Sequence, residues 1–249
     1  MAGQIKILNT FIHNLSMEET LFLVNETIKN KESIHHVVVN AGKIVEMQKD
    51  KQLYESVNNS DIINADGQAV VWAAKFLNKP LKERVAGIDL MENLVELAYK
   101  NNHKIYLFGA KEKVIKKVVS IYTNKYGKNL IAGYRNGYYG KDDEATIAKD
   151  IASSGANMLF VAITSPKKEN FLYQFKNELK SVNFIMGVGG SFDVISGLTK
   201  RAPLWMQNNG LEWFYRFIQE PKRMWKRYLV GNSKFIYLVF KEKIRGSSL

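Results

Sequence analysis

Residues 104–134 read KIYLFGAKEKVIKKVVSIYTNKYGKNLIAGY. Lys104-Ile105-Tyr106-Leu107-Phe108 is a short apolar run that stops at Gly109, Lys111 to Tyr126 has the length and pattern of a helix, and Asn129 to Tyr134 is apolar again. Strand, helix and strand in so short a span predict a βαβ unit. Working outward, Ile34 to Val39, Asp61 to Ala65, Asn157 to Ile163 and Asn183 to Val188 read as further strands. Gln68 to Leu77, Leu90 to Lys100, Asp142 to Ser153 and Lys167 to Leu179 read as helices between them. The first helix opens at Ser16-Met17-Glu18-Glu19, a capping-box spacing followed by Leu21, Val24 and Ile28. Such alternation calls for a parallel sheet covered on both faces, because each crossover helix must pack its apolar stripe onto the strands. The fold class is α/β, with a Rossmann-like parallel sheet.

The 249 residues are 46% hydrophobic and 24% charged, enough for one large domain or two modest ones, and the chain is not a disordered one. With no cysteine, disulfides, thiol catalysis and cysteine-bearing zinc sites are excluded. The first thirty residues lack the pattern of a secretory signal, and the longest late apolar run, Phe235 to Phe240, is far short of the ~20 residues of a spanning helix. Of the net charge of +12, residues 201–249 carry +7, together with three of the four tryptophans, Trp205, Trp213 and Trp225. The expected division is therefore an α/β domain over residues 1–200 and a basic, aromatic, helical appendage over 201–249. An anionic membrane surface, single-stranded nucleic acid and a plain helical subdomain with an aromatic core all suit that composition.

In an open parallel sheet the ligand crevice lies beyond the carboxyl ends of the strands. Asn40, Asp66-Gly67, Gly109-Ala110, Thr164 to Glu169 and Gly187 to Asp193 fall there. Asp66 reads either as a general base with a pKa raised in a dry crevice or as the N-cap of the helix from Gln68. Asn40 and Asp193 carry the same alternative of cap or ligand. Gly187 to Gly190 either exposes backbone N–H groups to a diphosphate or packs tightly, and Gly109 is a small-residue turn. Glu169 falls in the first turn of a helix after Pro166. The four histidines have no metal-ligand spacing, and adjacent His35 and His36 point to opposite faces of a strand. No Asp-x-Asp occurs, so a bound diphosphate would meet lysine and arginine rather than a metal held by such a pair. After Pro221, which breaks any helix begun at Leu211, Lys222, Arg223, Lys226 and Arg227 line one side of a helix and Trp225, Tyr228 and Leu229 another.

Five ordered segments carry a resemblance: Asn64-Ala65-Asp66-Gly67-Gln68 through Trp72, Arg84 to Leu90, Gly187 to Asp193, Arg201 to Met206, and Gly210-Leu211-Glu212-Trp213 through Glu220-Pro221-Lys222-Arg223 to Leu229. Together they resemble the WecG/TagA/CpsF glycosyltransferase family from about Asn14 to Phe240. The resemblance implies inverting, metal-independent transfer of N-acetylmannosamine or its uronic acid from a UDP donor to an undecaprenyl-diphosphate-linked sugar, at the inner face of the cell membrane. It implies no cofactor and no nucleic-acid partner; a homo-oligomer stays open, and the competing reading is a basic-tailed nucleic-acid-binding protein. By position, Asp66 would be the base, Arg216, Arg223 and Arg227 would face the UDP leaving group, and Asn40 would line the sugar pocket. Gln68, Arg84, Gly109, Lys168, Glu169, Gly189, Gly190 and Asp193 would complete the substrate site. Val38 stands where the family has Thr, and Lys168 where it has Gln. The added cation at Lys168 predicts a different acceptor or a donor bearing a carboxylate.

Overall fold

The chain opens with an antiparallel hairpin, β1 (Gln4–Ile7) and β2 (Thr10–His13), which the apolar runs did not predict. The order then runs α1 (Met17–Lys29), β3 (Ile34–Val39), α2 (Ala41–Glu46), α3 (Lys51–Asn58), β4 (Ile62–Ala65), α4 (Gln68–Phe76), α5 (Gly87–Lys100), β5 (Ile105–Gly109), α6 (Glu112–Tyr126), β6 (Ile131–Arg135), α7 (Glu144–Ser153), β7 (Met158–Ala162), α8 (Lys167–Gln174), β8 (Phe184–Gly187) and α9 (Ser191–Ile195). The last segment holds α10 (Leu204–Asn208), α11 (Glu212–Gln219), α12 (Pro221–Trp225), a π-helical stretch over Lys226–Gly231, and α13 (Asn232–Gly246). This computed structural model describes residues 3–246, with Arg223, Lys226, Arg227 and Gly246 described as backbone only.

Strands β3 to β8 form one parallel sheet in the order β4-β3-β8-β7-β5-β6, so all six carboxyl ends share one edge. Side chains alternate between faces, as the pleat requires. Val38, Leu107, Phe160 and Met186 meet α1, α5, α6 and α9 on one side. Val37, Val39, Ile63 and Ala65 meet α2, α3, α4 and the hairpin on the other, where Phe108, Val161 and Ile185 continue the layer under α7 and α8. The outer edge of β4 is shielded by β2, whose His13 Nδ1 accepts the Ile63 N–H at 3.0 Å. His36 Nε2 sits 2.8 Å from Asn64 Oδ1, whereas His35 faces the opposite layer; burial lowers both imidazoles to a pKa of about 4. Both are structural.

The composition break at residue 200 does not end the core. Phe235 and Val239 of α13 are buried in the cluster of β3, β4, α2 and α4. The Glu242 carboxylate accepts the Leu8 N–H at 2.6 Å and binds Lys79 Nζ at 3.0 Å. The tail therefore crosses the carboxyl edge of the sheet through α10 and α11 and is anchored again on its flank.

Candidate active site

Backbone pairing continues past β4: Asp66 N–H donates to Val39 O and Val85 N–H to Ala65 O, each at 2.9 Å. These bonds hold Asp66 at the sheet edge, half-buried. Its side chain is not the cap of α4; Gly67 occupies that position without a side-chain bond, and Asp66 Oδ1 instead accepts the N–H of Gly87, the first residue of α5, at 3.0 Å. Burial raises the Asp66 pKa most, and the Glu212 carboxylate adds to it; the Gly87 N–H, Arg84 and Arg216 act in the opposite direction, with a net rise. A carboxylate so placed holds a proton more readily than an exposed aspartate.

Asn40 is a helix cap, its Oδ1 accepting the Lys43 N–H at 3.1 Å. It lies against the β4 loop, since a Cβ on Gly67 would come within 3.2 Å of Asn40 Cβ. Val38 turns its methyls toward Gly87, whose N–H bonds Asp66. Gly210, at a φ of +71°, presses the tail onto α4: a Cβ there would stand 2.7 Å from Gln68 Cγ and 3.4 Å from Trp72. Glu212 then reaches Arg84 at 3.2 Å and Arg201 at 3.6 Å, and Arg201 clasps Asp89 with both terminal nitrogens at 2.5 and 2.7 Å. Asn40, Asp66, Gln68, Arg84 and Arg216 thus converge, ringed by Asp89, Arg201 and Glu212, three residues to which the sequence reading gave no role although all lie in its motifs.

The other predicted residues lie farther along the edge. Gly189 and Gly190 follow β8, two strand spacings or about 10 Å from β4. No heavy atom lies within 4 Å of a Cβ built on either, so their backbone is open rather than packed. Asp193 is in the first turn of α9. Gly109 is held by packing instead: at a φ of +125°, a Cβ would meet Ala162 O at 2.4 Å. The added cation, Lys168, is enclosed by the fold. It is buried, with its Nζ 2.6 Å from Glu169 Oε1, and Lys43 Nζ binds the same oxygen at 2.8 Å. Burial opposes ionisation of Glu169, but the two ammonium groups outweigh it and keep its pKa well below the usual range. Glu169 does lie in the first turn of α8, but its charge is taken by lysines. The side chains of Arg223 and Arg227 lie outside the described residues.

Residues 5–249 match the family model described as "Glycosyl transferase WecG/TagA/CpsF family". An N-acetylglucosaminyldiphosphoundecaprenol N-acetyl-beta-D-mannosaminyltransferase of Bacillus subtilis (strain 168) is 41% identical over 196 residues, covering 78% of this chain and 74% of the relative. A protein of the same name from Staphylococcus aureus (strain MW2) is 31% identical over 247 residues, 97% of this chain and 94% of its own. With the sheet, the carboxylate at its edge and the motif-bearing tail all in place, the chain belongs to the WecG/TagA/CpsF family and is a glycosyltransferase.

Proposed function

We propose that the protein transfers N-acetylmannosamine from a UDP-linked donor to N-acetylglucosaminyl-diphosphoundecaprenol, inverting the anomeric centre without a metal ion. The names of the relatives supply both sugars and the lipid, and their β product linkage is what inversion of an α-linked nucleotide sugar gives. The observation that carries the mechanism is Asp66, half-buried at the sheet edge, raised in pKa and flanked by Arg84 and Arg216. In the proposed step Asp66 takes the proton of the acceptor hydroxyl as its oxygen attacks the anomeric carbon, the bond to UDP breaks on the opposite face, and the nearby guanidinium groups oppose the charge gathering on the diphosphate. Arg223 and Arg227 enter this reading on the family resemblance alone.

Among the described residues no helix is long and apolar enough to cross a membrane. The tail nevertheless exposes Trp205, Trp213, Phe214, Ile218, Trp225 and Leu229 beside its cations. That surface suits the headgroup region of an anionic bilayer, and the reading places the enzyme peripherally at the inner membrane face, where its acceptor is embedded.

The test is Asp66→Asn, which keeps an oxygen for the Gly87 N–H but removes the base. Transfer should fall at least ~100-fold while UDP-sugar binding survives. Undiminished transfer would remove Asp66 from the chemistry, and loss of wild-type turnover on chelation with EDTA would overturn metal independence.

A further inference from the structure

Helix α11 has no fully buried residue, Tyr215 and Phe217 being half-buried, so it has no deeply buried apolar anchor of its own on the sheet domain. Its Gln219 side chain bonds the backbone of Lys200, and Trp213 stacks edge-on with Phe214 and Tyr228, all contacts within the tail or at its entrance. Glu212 is different. One of its oxygens meets Arg84, which precedes α5, and the other faces Arg201, whose fork closes on Asp89 in the first turn of α5. The same helix start supplies the Gly87 N–H to Asp66. Both routes from Glu212 thus end on the backbone that holds the carboxylate at the reacting position. Glu212 and Arg216 are also four residues apart on one helix, so they share a face, and seating the first aims the second. Among the described residues Arg216 makes no ion pair of its own, although it is close enough to Asp66 to influence its ionisation.

We propose that Glu212 is a positioning residue: by bridging Arg84 and Arg201 it docks α11 on the sheet edge and so sets Arg216 beside Asp66. The inference rests on the sugar-transfer reading for its kinetic consequence, but the docking itself does not. Bidentate and shared carboxylate–guanidinium contacts fix orientation as well as distance, which a helix without a fully buried side chain needs in addition to its partial packing. The charged groups facing Asp66 are Arg84 from the sheet domain and Glu212 and Arg216 from α11. Replacing Glu212 by a neutral amide removes the one carboxylate of that set.

The experiment compares wild type, Glu212→Gln, Glu212→Asp, Arg201→Gln and the double variant Glu212→Gln/Arg201→Gln. Two measurements are made: transfer from UDP-N-acetylmannosamine to a synthetic lipid-diphosphate-linked N-acetylglucosamine, and limited trypsin digestion of the tail. Glu212→Gln should lower kcat about 10-fold while the donor KM changes less than about 3-fold, because a displaced Arg216 is missed chiefly as leaving-group charge develops. The acid limb of its kcat/KM profile should move to lower pH. Glu212→Asp, which keeps the charge, should recover most of kcat. The double variant should be no slower than the slower single one, as expected of residues in one network. Trypsin should cut Glu212→Gln near Arg216 and Lys222 about 10-fold faster than wild type. Unchanged kcat and unchanged cleavage would overturn the proposal. A lower KM with higher turnover would also overturn it, making Glu212 a competitor of the substrate diphosphate for Arg84. Should wild type itself transfer no sugar, the functional reading fails, and the trypsin comparison still decides the docking.

Discussion

Phe235→Ala tests whether the tail belongs to the same cooperative unit as the sheet. Phe235 is 2% exposed and lies with Val239 among the side chains of β3, β4, α2 and α4. Removing the ring leaves a cavity that a helix tied down at Glu242 cannot collapse freely, so the cost is about 3–5 kcal/mol. Against a total stability of about 5–15 kcal/mol that is a large fraction. At a slope of about 2–3 kcal/mol per molar urea, the midpoint should fall by about 1.5 M. Tyr237→Ala, on the same helix but 63% exposed, should stay within about 0.5 kcal/mol of wild type. Equilibrium unfolding in urea, followed by circular dichroism and tryptophan fluorescence, reads both variants. A shift below about 0.4 M for Phe235→Ala would refute the reasoning. So would a biphasic transition in which tail fluorescence is lost first while the sheet unfolds at the wild-type midpoint.

The buried histidines and the buried ion pairs give two further outcomes. Since the unfolded chain binds a proton at His36 near pH 6.5 and the native one only near 4, the unfolded state holds more protons between those values, and stability is lost as pH falls through that window. The share of one such group is on the order of 3 kcal/mol; His36→Gln should flatten the acid limb of stability against pH, and an unaltered slope would contradict the buried neutral imidazole. Glu169→Ala leaves two buried ammonium groups without their carboxylate and should cost about 3–5 kcal/mol in denaturant melts. Lys168→Gln retains the Lys43–Glu169 pair at 2.8 Å, so it should melt closer to wild type and leave the preference between neutral and acidic UDP-sugars unchanged. A swing toward the neutral donor would restore Lys168 as a group that reads donor charge.

Most of the sheet was legible because its strands are buried on both faces and read as unbroken apolar runs between glycines and polar turns. All six predicted runs became strands with ends displaced by a few residues at most, and the Ser16–Glu19 capping box closes as expected. The hairpin was missed because β1 and β2 are four residues each and only Ile7, Thr10 and Ile12 are buried in them, too short a pattern to stand out. Helices α2 and α3 share that weakness, at six and eight residues. The packing of the tail across the boundary at residue 200 was hidden for a different reason. Composition records where cations and aromatics begin, whereas a core is set by which side chains are covered, and Phe235 and Val239 are covered by strands some two hundred residues earlier.

The site was legible where the backbone dictated it and hidden where distant charges meet. Any residue following β3, β4 or β8 in a parallel sheet must reach the common edge, so Asn40, Asp66 and Gly189 could be placed from the strand pattern alone. That Asp66 does not cap α4 depended on Gly87, twenty-one residues on, whose N–H donates to the carboxylate. Lys168 read only as an added charge, because nothing local reveals that it is buried and shares the Glu169 carboxylate with Lys43 of α2. The same holds for Glu212, which sits within a quoted motif yet gains its meaning from Arg84 and Arg201. Spacing constrains neighbours on one element; ion pairs across elements become visible only once the sheet order has brought their carriers together. Here that order brings α11 close to Asp66, whose pKa burial raises most, with Glu212 adding to the rise and the Gly87 N–H, Arg84 and Arg216 opposing it.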